Sequence, residues 1–500
     1  MLLPAFVYLI LIAGFAAYIY RTQLDEQDAY KWLICVGIFT AAVTLNRNVW
    51  LLYAAVIGVG WYIVPKDPEK RIFYYLTLFC ILPRLSYEVP FPGVNYLIVM
   101  EYPFILSLAL LLPLFWQFRK AGVPHSKFDL LIAVYLVYVT YREFSFDDSF
   151  TYWARLVLVN FFSVWVPYYV IANAPGDLKR YMVALLYGGI YLTVAANVEW
   201  ALTWQIFANI TQYVNDIVFS RLSTAYYFRG LGLRISSSWM NPISFGVFAA
   251  GTCYLLLMLQ KLGKSRSMLT FALAGLALSA TLFTDSRGAL LTMIIALGVQ
   301  AYFYSPTPVW KNTYKLCFVV AVLLVAMNFQ TFMDLDPSGT FQYRADLLVY
   351  SKDAFFANPI WGDVNFRDNY TLSANMTQGQ GIVDIVNHYL NVALRYGAVG
   401  LFLYLLIWTS IIARMISRVS QLQSLGDHRY HAGSILVSLM VGVAIVIYTV
   451  SLVGYLPEYI FMLMGLASAY LKSTGDRPKT KATAMAAHTD PPVFTGRRFN

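Results

Sequence analysis

Long apolar stretches recur along almost the whole chain, from Met1 to Leu471. Many contain about 17 to 25 residues, the length that crosses roughly 30 Å of hydrocarbon as an α-helix. Of the 500 residues, 59% are hydrophobic and 12% are charged, whereas a soluble domain carries about 25% charged residues. The apolar runs are continuous, unlike the alternating strands of a transmembrane β-barrel. The sequence therefore predicts an all-α polytopic integral membrane protein.

We predict about 12 to 15 transmembrane helices. The predicted spans are 1–20, 30–45, 49–64, 72–92, 100–118, 128–141, 152–173, 179–206, 243–260, 268–284, 288–305, 313–332, 386–413, 433–452 and 455–471. Residues 1–206 should form N-terminal transmembrane helices, and residues 207–472 a transmembrane core that includes a large loop at 334–385. Residues 473–500 are polar and basic, which predicts a disordered cytoplasmic tail.

The first span has no basic residues before it and is followed by Arg21, so we expect a retained helix rather than a cleaved signal peptide. The formal net charge of +10 does not indicate nucleic-acid binding, because the basic residues are spread over short loops and the tail. Even numbers of spans separate these loops, so they fall on one side, which the positive-inside rule makes cytoplasmic. The basic residues of this side are Arg119, Lys120, Lys127, Lys261, Lys264, Arg266, Lys311, Lys315, Arg414, Arg418, Arg429, Lys472, Arg477, Lys479 and Lys481.

The opposite side, predicted to be the periplasm or exterior, also carries arginines. Translocated loops are usually poor in Arg and Lys, so an anionic ligand outside the membrane is the economical explanation. These outer arginines are Arg221, Arg229, Arg234, Arg287, Arg344 and Arg367.

Two segments on this side lead into predicted helices. Segment 207–242 becomes glycine-rich and polar around Arg234, and Asn241-Pro242 is typical of a helix cap and first turn. Serines 236 to 238 with Asn241 indicate either an anion site at that helix N-terminus or an ordinary loop. In the turn Thr284-Asp-Ser286-Arg287-Gly288, Gly and a polar cap suit a tight turn. Arg287 either snorkels to the interface or binds phosphate through its planar guanidinium.

Loop 334–385 is long enough to be either functional or disordered. It contains Arg344, and its apolar positions Leu347, Leu348, Tyr350, Phe355 and Phe356 predict a short amphipathic helix in an ordered lid. Asn387 and His388 follow the loop at the start of the next span. Four residues separate Asp384 from His388, so a helix through both would let the carboxylate orient the imidazole.

All four cysteines, Cys35, Cys80, Cys253 and Cys317, fall in predicted spans, which argues against a zinc site or an external disulfide framework. No acidic pair accompanies the outer arginines, so no bound metal and no cofactor is expected.

Residues 225 to 415 resemble the superfamily of bacterial O-antigen ligases and polymerases. The likeness rests on an Arg before an Asn/Pro helix start, the Thr-x-Ser-Arg-Gly-Ala turn at 284–289, a large loop with Arg344, and an Asn-His-Tyr-Leu…Gly…Gly helix at 387–400. The resemblance implies a GT-C-like, metal-independent glycosyltransferase of the bacterial inner membrane, with its active site facing the periplasm. Its substrate would be a glycan carried on undecaprenyl diphosphate, and its acceptor a glycan or a lipid.

From these residues we expect Arg234, Arg287 and Arg344, helped by Ser286, Asn387 and Arg395, to bind the diphosphate. His388, with Asp384, would remove the proton from the attacking sugar hydroxyl. The lipid bilayer and other polysaccharide assembly proteins are the expected partners, and nucleic acid is not.

Three functions remain open. A polymerase of exopolysaccharide or O-antigen repeats is favoured by the additional N-terminal spans. An O-antigen ligase that transfers the glycan to lipid A-core is the alternative within the same class. A polysaccharide transporter or flippase is the alternative from another class, and Glu199 and Arg155, two charges within predicted spans, are its only support.

Overall fold

The structure is a computed structural model. It describes residues 2–21, 26–93, 96–123, 126–144, 150–214, 228–229, 232–262, 268–305, 307, 309–314, 316, 339–377, 381 and 383–475. The predicted span 313–332, Arg221, Cys317 and residues 476–500 of the predicted tail lie outside this set, apart from residues 313, 314 and 316.

The described chain is mainly helical, with two short antiparallel hairpins. The helices are α1 Leu3–Arg21, α2 Glu26–Leu45, α3 Val49–Ile63, α4 Pro68–Ile81, α5 Tyr102–Lys120, α6 Lys127–Phe144, α7 Phe150–Ala172, α8 Leu178–Ala201, α9 Ile206–Val214, α10 Pro242–Leu257, α11 Met268–Phe283, α12 Arg287–Tyr304, α13 Thr340–Ala357, α14 Tyr370–Met376, α15 His388–Ser424, α16 Arg429–Val446 and α17 Leu456–Thr474. One hairpin pairs β1 Ser86–Glu88 with β2 Val99–Glu101, and the other pairs β3 Phe228–Arg229 with β4 Gly232–Leu233.

Eight helices in the described residues are long and apolar enough to cross a membrane, and three shorter apolar helices accompany them. This supports the predicted all-α polytopic membrane protein. Fourteen of the fifteen predicted spans have a described helix at their position, and the exception is span 313–332. The prediction for 72–92 was wrong at its end, because α4 stops at Ile81, just before Pro83, and the chain turns into the β1–β2 hairpin.

Polar side chains at the helix starts explain many of the helix boundaries. Each of them accepts a hydrogen bond from a backbone N–H of the first turn, which has no partner within the helix. These capping residues are Asn48, Asp67, Asp177, Asn241, Ser286, Asn369 and Asn387. Asn241, followed by Pro242, caps α10 as the Asn-Pro pair predicts.

The helical bundle has two ends, and each can be identified by ion pairs between the helix termini that lie there. At one end, which we call the Lys472 end, Lys70 contacts Asp28 (3.0 Å) and Lys472 contacts Asp129 (3.4 Å). At the other, which we call the His388 end, Arg395 contacts Glu143. Arg414 lies over the Phe128 ring, and the Tyr470 hydroxyl donates to the Arg429 carbonyl, so these two basic residues lie at the Lys472 end, as their parity predicts. The orientation of the bundle in a membrane stays a prediction.

The predicted lid is an ordered part of the His388 end. Helix α13 buries Leu347, which joins a small apolar cluster formed within the lid and at the start of α15. Tyr350 and Phe355 pack against the edge of this cluster, whereas Leu348 and Phe356 are exposed. A helix at these positions was therefore predicted correctly, but its apolar residues do not share one buried face. The remaining members of the cluster are Ala354, Phe366, Leu372, Met376, Val383, Ile385 and Leu394.

Candidate functional site at the His388 end

The connection between α16 and α17, residues 447–455, contacts residues from several predicted site segments. Its Ile447 carbonyl accepts a hydrogen bond from the His388 backbone N–H (2.9 Å). The Thr449 carbonyl accepts one from Arg344 Nη2 (3.1 Å). The Ser451 hydroxyl donates to the Asp384 carboxylate (3.1 Å). Arg344 and the segment 384–388, which are separate in the sequence, therefore both contact this connection.

The Thr284–Gly288 turn packs against the same connection. A Cβ added at Gly288 would lie 3.1 Å from Val450 and 3.4 Å from the Thr449 hydroxyl. A side chain at this position would require Val450 to shift by a few tenths of an ångström. The following helix α12 thus begins directly beside residues 449 and 450.

Ser286 and Arg287 stand at the start of α12. The buried Ser286 side chain accepts a hydrogen bond from the Ala289 N–H and caps the helix. Arg287 is the first helical residue, and its side chain is exposed. A helix N-terminus carries partial positive charge, to which the guanidinium adds a full charge. This corner of the site favours an anion.

Arg234 is attached to the Thr284–Gly288 turn from the other side. Its Nε donates to the Thr284 carbonyl (3.1 Å), and the neighbouring Ile235 N–H donates to the Phe283 carbonyl (3.0 Å). The side chain is buried. The two arginine-bearing turns that the sequence assigns to one side are therefore in direct contact.

The serines around the start of α10 do not all have structural partners, because the buried Ser237 hydroxyl has none among the described residues. Ser238 donates to the Cys80 carbonyl (2.8 Å), and Ser244 donates to the Val453 carbonyl. The Asn241 side chain accepts the N–H groups of Ile243 and Ser244. The contacts of Ser238, Ser244 and Asn241 are those of a loop that caps a helix, and the anion site at this helix start stays a prediction.

Asp384 and His388 are not on one helical face. Helix α15 begins at His388 with Asn387 as its cap, so Asp384 lies before the helix and the predicted pairing along a helix was wrong. The Asp384 carbonyl accepts a bond from the Tyr343 hydroxyl (2.8 Å), which ties this residue to the lid helix. The His388 ring instead meets the Tyr404 ring edge-on, with centroids 5.1 Å apart.

The carboxyl group of Asp384 has an unusual environment. Burial raises the pKa of Asp384 above its ordinary value, while the Ser451 hydroxyl and the positive charge of Arg367 oppose that rise. A carboxylate with a raised pKa is a stronger base than an ordinary one. Asp384 is therefore a candidate base in its own right, independent of His388. Arg367, an exposed residue of the lid, joins the site beside it.

Close contacts between two stretches of backbone hold the lid against α15. The helix is interrupted at Gly397 (φ 68°), and the Pro359 carbonyl accepts the Ala398 N–H (2.8 Å) across the break. A Cβ at Gly397 would overlap the Ile360 carbonyl, and one at Gly362 (φ 73°) would overlap the backbone at 395–397. Both positions therefore require glycine. Residues 388–396 form a short helix that is held under the lid.

Arg395 has a different partner from the one expected. Its guanidinium makes two bonds to the Glu143 carboxylate, 2.5 Å from Nε to Oε1 and 2.8 Å from Nη2 to Oε2. The Tyr396 hydroxyl donates to the same carboxylate (2.7 Å). Because Glu143 neutralises the charge of Arg395, we assign Arg395 to this ion pair and withdraw it from the diphosphate contacts.

The two charged residues that supported a transporter also have structural partners. The Glu199 carboxylate accepts the Phe207 N–H (3.1 Å) at the start of α9. Arg155 donates to the Leu97 carbonyl (3.0 Å) and its guanidinium lies 4.0 Å from the centre of the Tyr96 ring. Neither arrangement resembles an ion pathway, and the support for a transporter is correspondingly weaker.

Among the described residues, no group of three or more His, Cys, Asp or Glu side chains is arranged to hold a metal ion. Cys35, Cys80 and Cys253 are buried and free, as expected for small core residues. Comparison with known proteins finds no family model that matches the chain and no curated protein with significant sequence similarity.

Sequence reasoning missed the 447–455 connection and Glu143. Gly454, which adopts φ 64° and lies against the Trp239 carbonyl, is the one signal that could have marked the connection as an ordered turn. Glu143 was missed because its partner Arg395 is 252 residues away. The helix start at His388 had a readable signal, the N-cap Asn387.

Proposed function

We propose that this protein is a membrane glycosyltransferase that polymerises glycan repeats carried on undecaprenyl diphosphate, at the periplasmic face of a bacterial inner membrane. The product would be an exopolysaccharide or O-antigen chain. The proposal includes a GT-C-like, metal-independent reaction and membership of the O-antigen ligase and polymerase superfamily.

One observation carries the proposal: the 447–455 connection brings together the start of α12, Arg344, Asp384 and His388. Arg234 reaches the same corner through Thr284. Guanidinium groups and a helix N-terminus are suited to a diphosphate, and each charge-assisted bond contributes about 1.5 to 3 kcal/mol. Two groups that can accept a proton, the side chains of His388 and Asp384, belong to residues that contact the same connection.

The reaction follows from these groups. An acceptor hydroxyl attacks the anomeric carbon of the donor sugar, and a new C–O bond forms as the bond from that carbon to the diphosphate breaks. The leaving diphosphate takes the electron pair, and Arg234, Arg287 and Arg344 stabilise its charge. The proton of the hydroxyl passes to a base.

His388 is the proposed base, and Asp384 is its competitor for this role. The imidazole is positioned by Tyr404 and by the backbone bond to Ile447 rather than by Asp384. The carboxylate of Asp384 is positioned by Ser451, and its raised pKa suits a general base. Substitution of each residue by itself separates the two assignments.

The test of the function is deletion of the gene followed by analysis of cell-surface glycans. Loss of long chains, with accumulation of single repeats, supports the polymerase. Bare lipid A-core together with intact carrier-linked polymer would replace the polymerase by a ligase. Surface glycans identical to those of the parent strain would refute the glycosyltransferase proposal.

A further inference from the structure

The lid at the His388 end is apolar on its surface as well as in its interior. Five large apolar residues between positions 348 and 361 remain exposed, and Phe356, Ile360 and Trp361 are 70%, 55% and 50% exposed. Exposed apolar residues that lie together on a protein surface mark contact with a partner or a membrane. We call this set the apolar edge of the lid: Leu348, Val349, Phe356, Ile360 and Trp361.

The apolar edge begins on one face of α13. Val349 and Phe356 are seven residues apart, which places them on the same face, and Leu348 adjoins them. Lys352 and Asp353 are exposed on this face as well. Bulky apolar side chains together with a lysine are typical of a helix that lies in the membrane interface, where the long lysine side chain reaches the headgroups. The two charges are costly in the hydrocarbon core, so this face fits the headgroup level.

Two long helices beside the lid indicate where lipid lies. The Tyr138 hydroxyl of α6 donates to the Tyr396 carbonyl of α15 (2.7 Å) towards one end of the pair. Arg414 of α15 lies 5.0 Å from the centre of the Phe128 ring of α6 at the other end. Helix α15 is among the described helices that are long and apolar enough to cross a membrane. Helix α6 therefore follows a candidate membrane-spanning helix for most of its own length.

Both helices present an exposed apolar stripe. Val134, Val137 and Tyr141 follow one another on α6 at intervals of three and four residues, and all three are exposed. On α15, Phe402 and Leu405 are exposed three residues apart. In a membrane protein, stripes of this kind face lipid rather than water.

Contacts to α6 place the apolar edge at the end of its stripe. The centroid of the Trp361 ring lies 6.5 Å from that of the Tyr138 ring. Arg142 donates from Nε to the Trp361 carbonyl and from Nη2 to the Gly362 carbonyl, 3.0 Å in both cases. Tyr141 of the stripe directly precedes Arg142. Trp and Tyr beside Arg are typical of the boundary between membrane and water.

A contact to α15 gives the same level. The Val399 N–H donates to the Ile360 carbonyl (3.3 Å). Val399 lies one helical turn before the exposed Phe402. Two helices therefore place residues 360 and 361 where the lipid-facing surface ends.

We propose that the apolar edge of the lid is a lipid-binding surface, which rests in the interface of the bilayer leaflet at the His388 end. Ile360 and Trp361 continue the lipid-facing stripes, and Phe356 inserts between lipids from the last turn of α13. The lid, which carries Arg344, is thereby held at the level of the lipid headgroups. This surface is independent of the proposed reaction.

The charges on the exposed face of α13 favour lipid over a second copy of the chain as the occupant. A protein partner would bury Lys352 and Asp353 together with the apolar residues around them. The headgroup region of a bilayer accepts the apolar side chains and leaves both charges hydrated.

The experiment measures the depth of spin labels by EPR in the full-length protein, reconstituted in nanodiscs of phosphatidylethanolamine and phosphatidylglycerol. Phe356→Cys and Ile360→Cys each receive a nitroxide label, whose accessibility to oxygen is compared with that to a water-soluble nickel chelate. Oxygen is enriched in lipid, and the nickel chelate stays in water. We expect both labels to favour oxygen and to lie about 5 to 10 Å into the boundary between headgroups and acyl chains.

Two matched variants calibrate the measurement. Asp368→Cys places the label at an exposed polar position of the same lid, where the nickel chelate should dominate. Val137→Cys places it on the α6 stripe, where oxygen should dominate. The unsubstituted protein measures labelling of the native cysteines, and the thermal unfolding midpoint verifies that each variant remains folded.

Labels at Phe356 and Ile360 that meet the nickel chelate as readily as the label at Asp368 would overturn the proposal, because the edge would then lie in water. Low accessibility to both reagents would also overturn it, because protein, such as a second copy of the chain, would then cover the edge. A Val137 label that favours the nickel chelate would remove the lipid-facing stripe on which the proposal depends. Lipid contact at Phe356 and Ile360, in a protein whose deletion leaves surface glycans unchanged, would uphold this surface and refute only the proposed reaction.

Discussion

The two ends of the helical bundle use their charges differently. At the Lys472 end, Arg180 contacts Glu69 at 2.9 Å and Lys70 contacts Asp28 at 3.0 Å, so opposite charges meet. At the His388 end, Arg234 and Arg344 donate to the backbone carbonyls of Thr284 and Thr449. The ion pairs of the Lys472 end thus join side chains of opposite charge, whereas these two arginines join segments of the chain through backbone carbonyls.

The His388 end also contains an internal contrast. Arg395 is neutralised by Glu143, although it lies on the same helix as His388. An arginine at the His388 end is therefore not a ligand for an anion merely because of its position. The partner of each guanidinium decides whether its positive charge is available for a diphosphate.

The largest expected effect is that of His388→Ala. Because a positioned general base contributes about 10²- to 10⁴-fold to a rate, product formation should fall by that factor while the protein remains folded. Polymer formation from lipid-linked repeats by the purified protein in liposomes is the measurement, with the thermal unfolding midpoint as the control for folding.

Asp384→Asn in the same assay decides between the two candidate bases. A greater loss in Asp384→Asn than in His388→Ala would transfer the role to Asp384. In that case wild-type activity should decline as the pH falls through the raised pKa of Asp384, since only the ionised carboxylate accepts a proton. Wild-type rates in both variants would contradict the proposed site.

The second effect concerns stability. Arg395→Ala leaves the Glu143 carboxylate, whose side chain is 5% exposed, without its cation, and the free energy of unfolding should fall by about 3 kcal/mol. The double variant with Glu143→Ala should recover part of this loss. Chemical denaturation of the purified protein measures both. A single variant as stable as the wild type would show that Arg395 is not a structural residue.

The third effect compares the two ends directly. Arg344→Ala removes one of the proposed charge-assisted contacts to the diphosphate, so product formation should fall roughly 10- to 150-fold. Arg180→Ala removes an arginine from a partly exposed ion pair at the other end and should leave the rate within about twofold. Rates from lipid-linked repeats are compared at equal protein concentration. Equal losses in the two variants would remove the distinction between the ends.

The smallest effect is the pH dependence of stability at Asp384. Its pKa is raised in the folded protein, so the folded state disfavours the ionised carboxylate, and wild-type stability declines as the pH rises through that pKa. Asp384→Asn should therefore have a slightly higher unfolding midpoint than the wild type at neutral pH. The difference should disappear below about pH 4, the ordinary pKa range of Asp. An advantage that persists in acid would contradict this explanation.

Hydropathy predicted the helices well because an apolar run of membrane length has few alternatives to a helix. It failed at 72–92, where Ile81 ends α4 and a hairpin continues the apolar run as strands. Local polar signals were also reliable: Asn241 and Ser286 cap helices as their neighbours suggest.

The site was less predictable, because its geometry depends on contacts between distant segments. The sequence identified Arg234, Arg287, Arg344, Asp384 and His388, but not the 447–455 connection that joins most of them. A spacing of four residues suggested a helical pair at Asp384 and His388, and the cap at Asn387 overrides it. The partner of Arg395 cannot be deduced from a chain in which Glu143 is remote.

Direct binding of undecaprenyl diphosphate tests the central proposal, that Arg287 and Arg344 at the His388 end bind a diphosphate. Native mass spectrometry of the full-length protein would compare the wild type, Arg287→Ala with Arg344→Ala, and Arg180→Ala. We predict that the wild type and Arg180→Ala retain the lipid equally, and that the double variant loses most of it. Equal retention of the lipid by all three proteins would contradict the account.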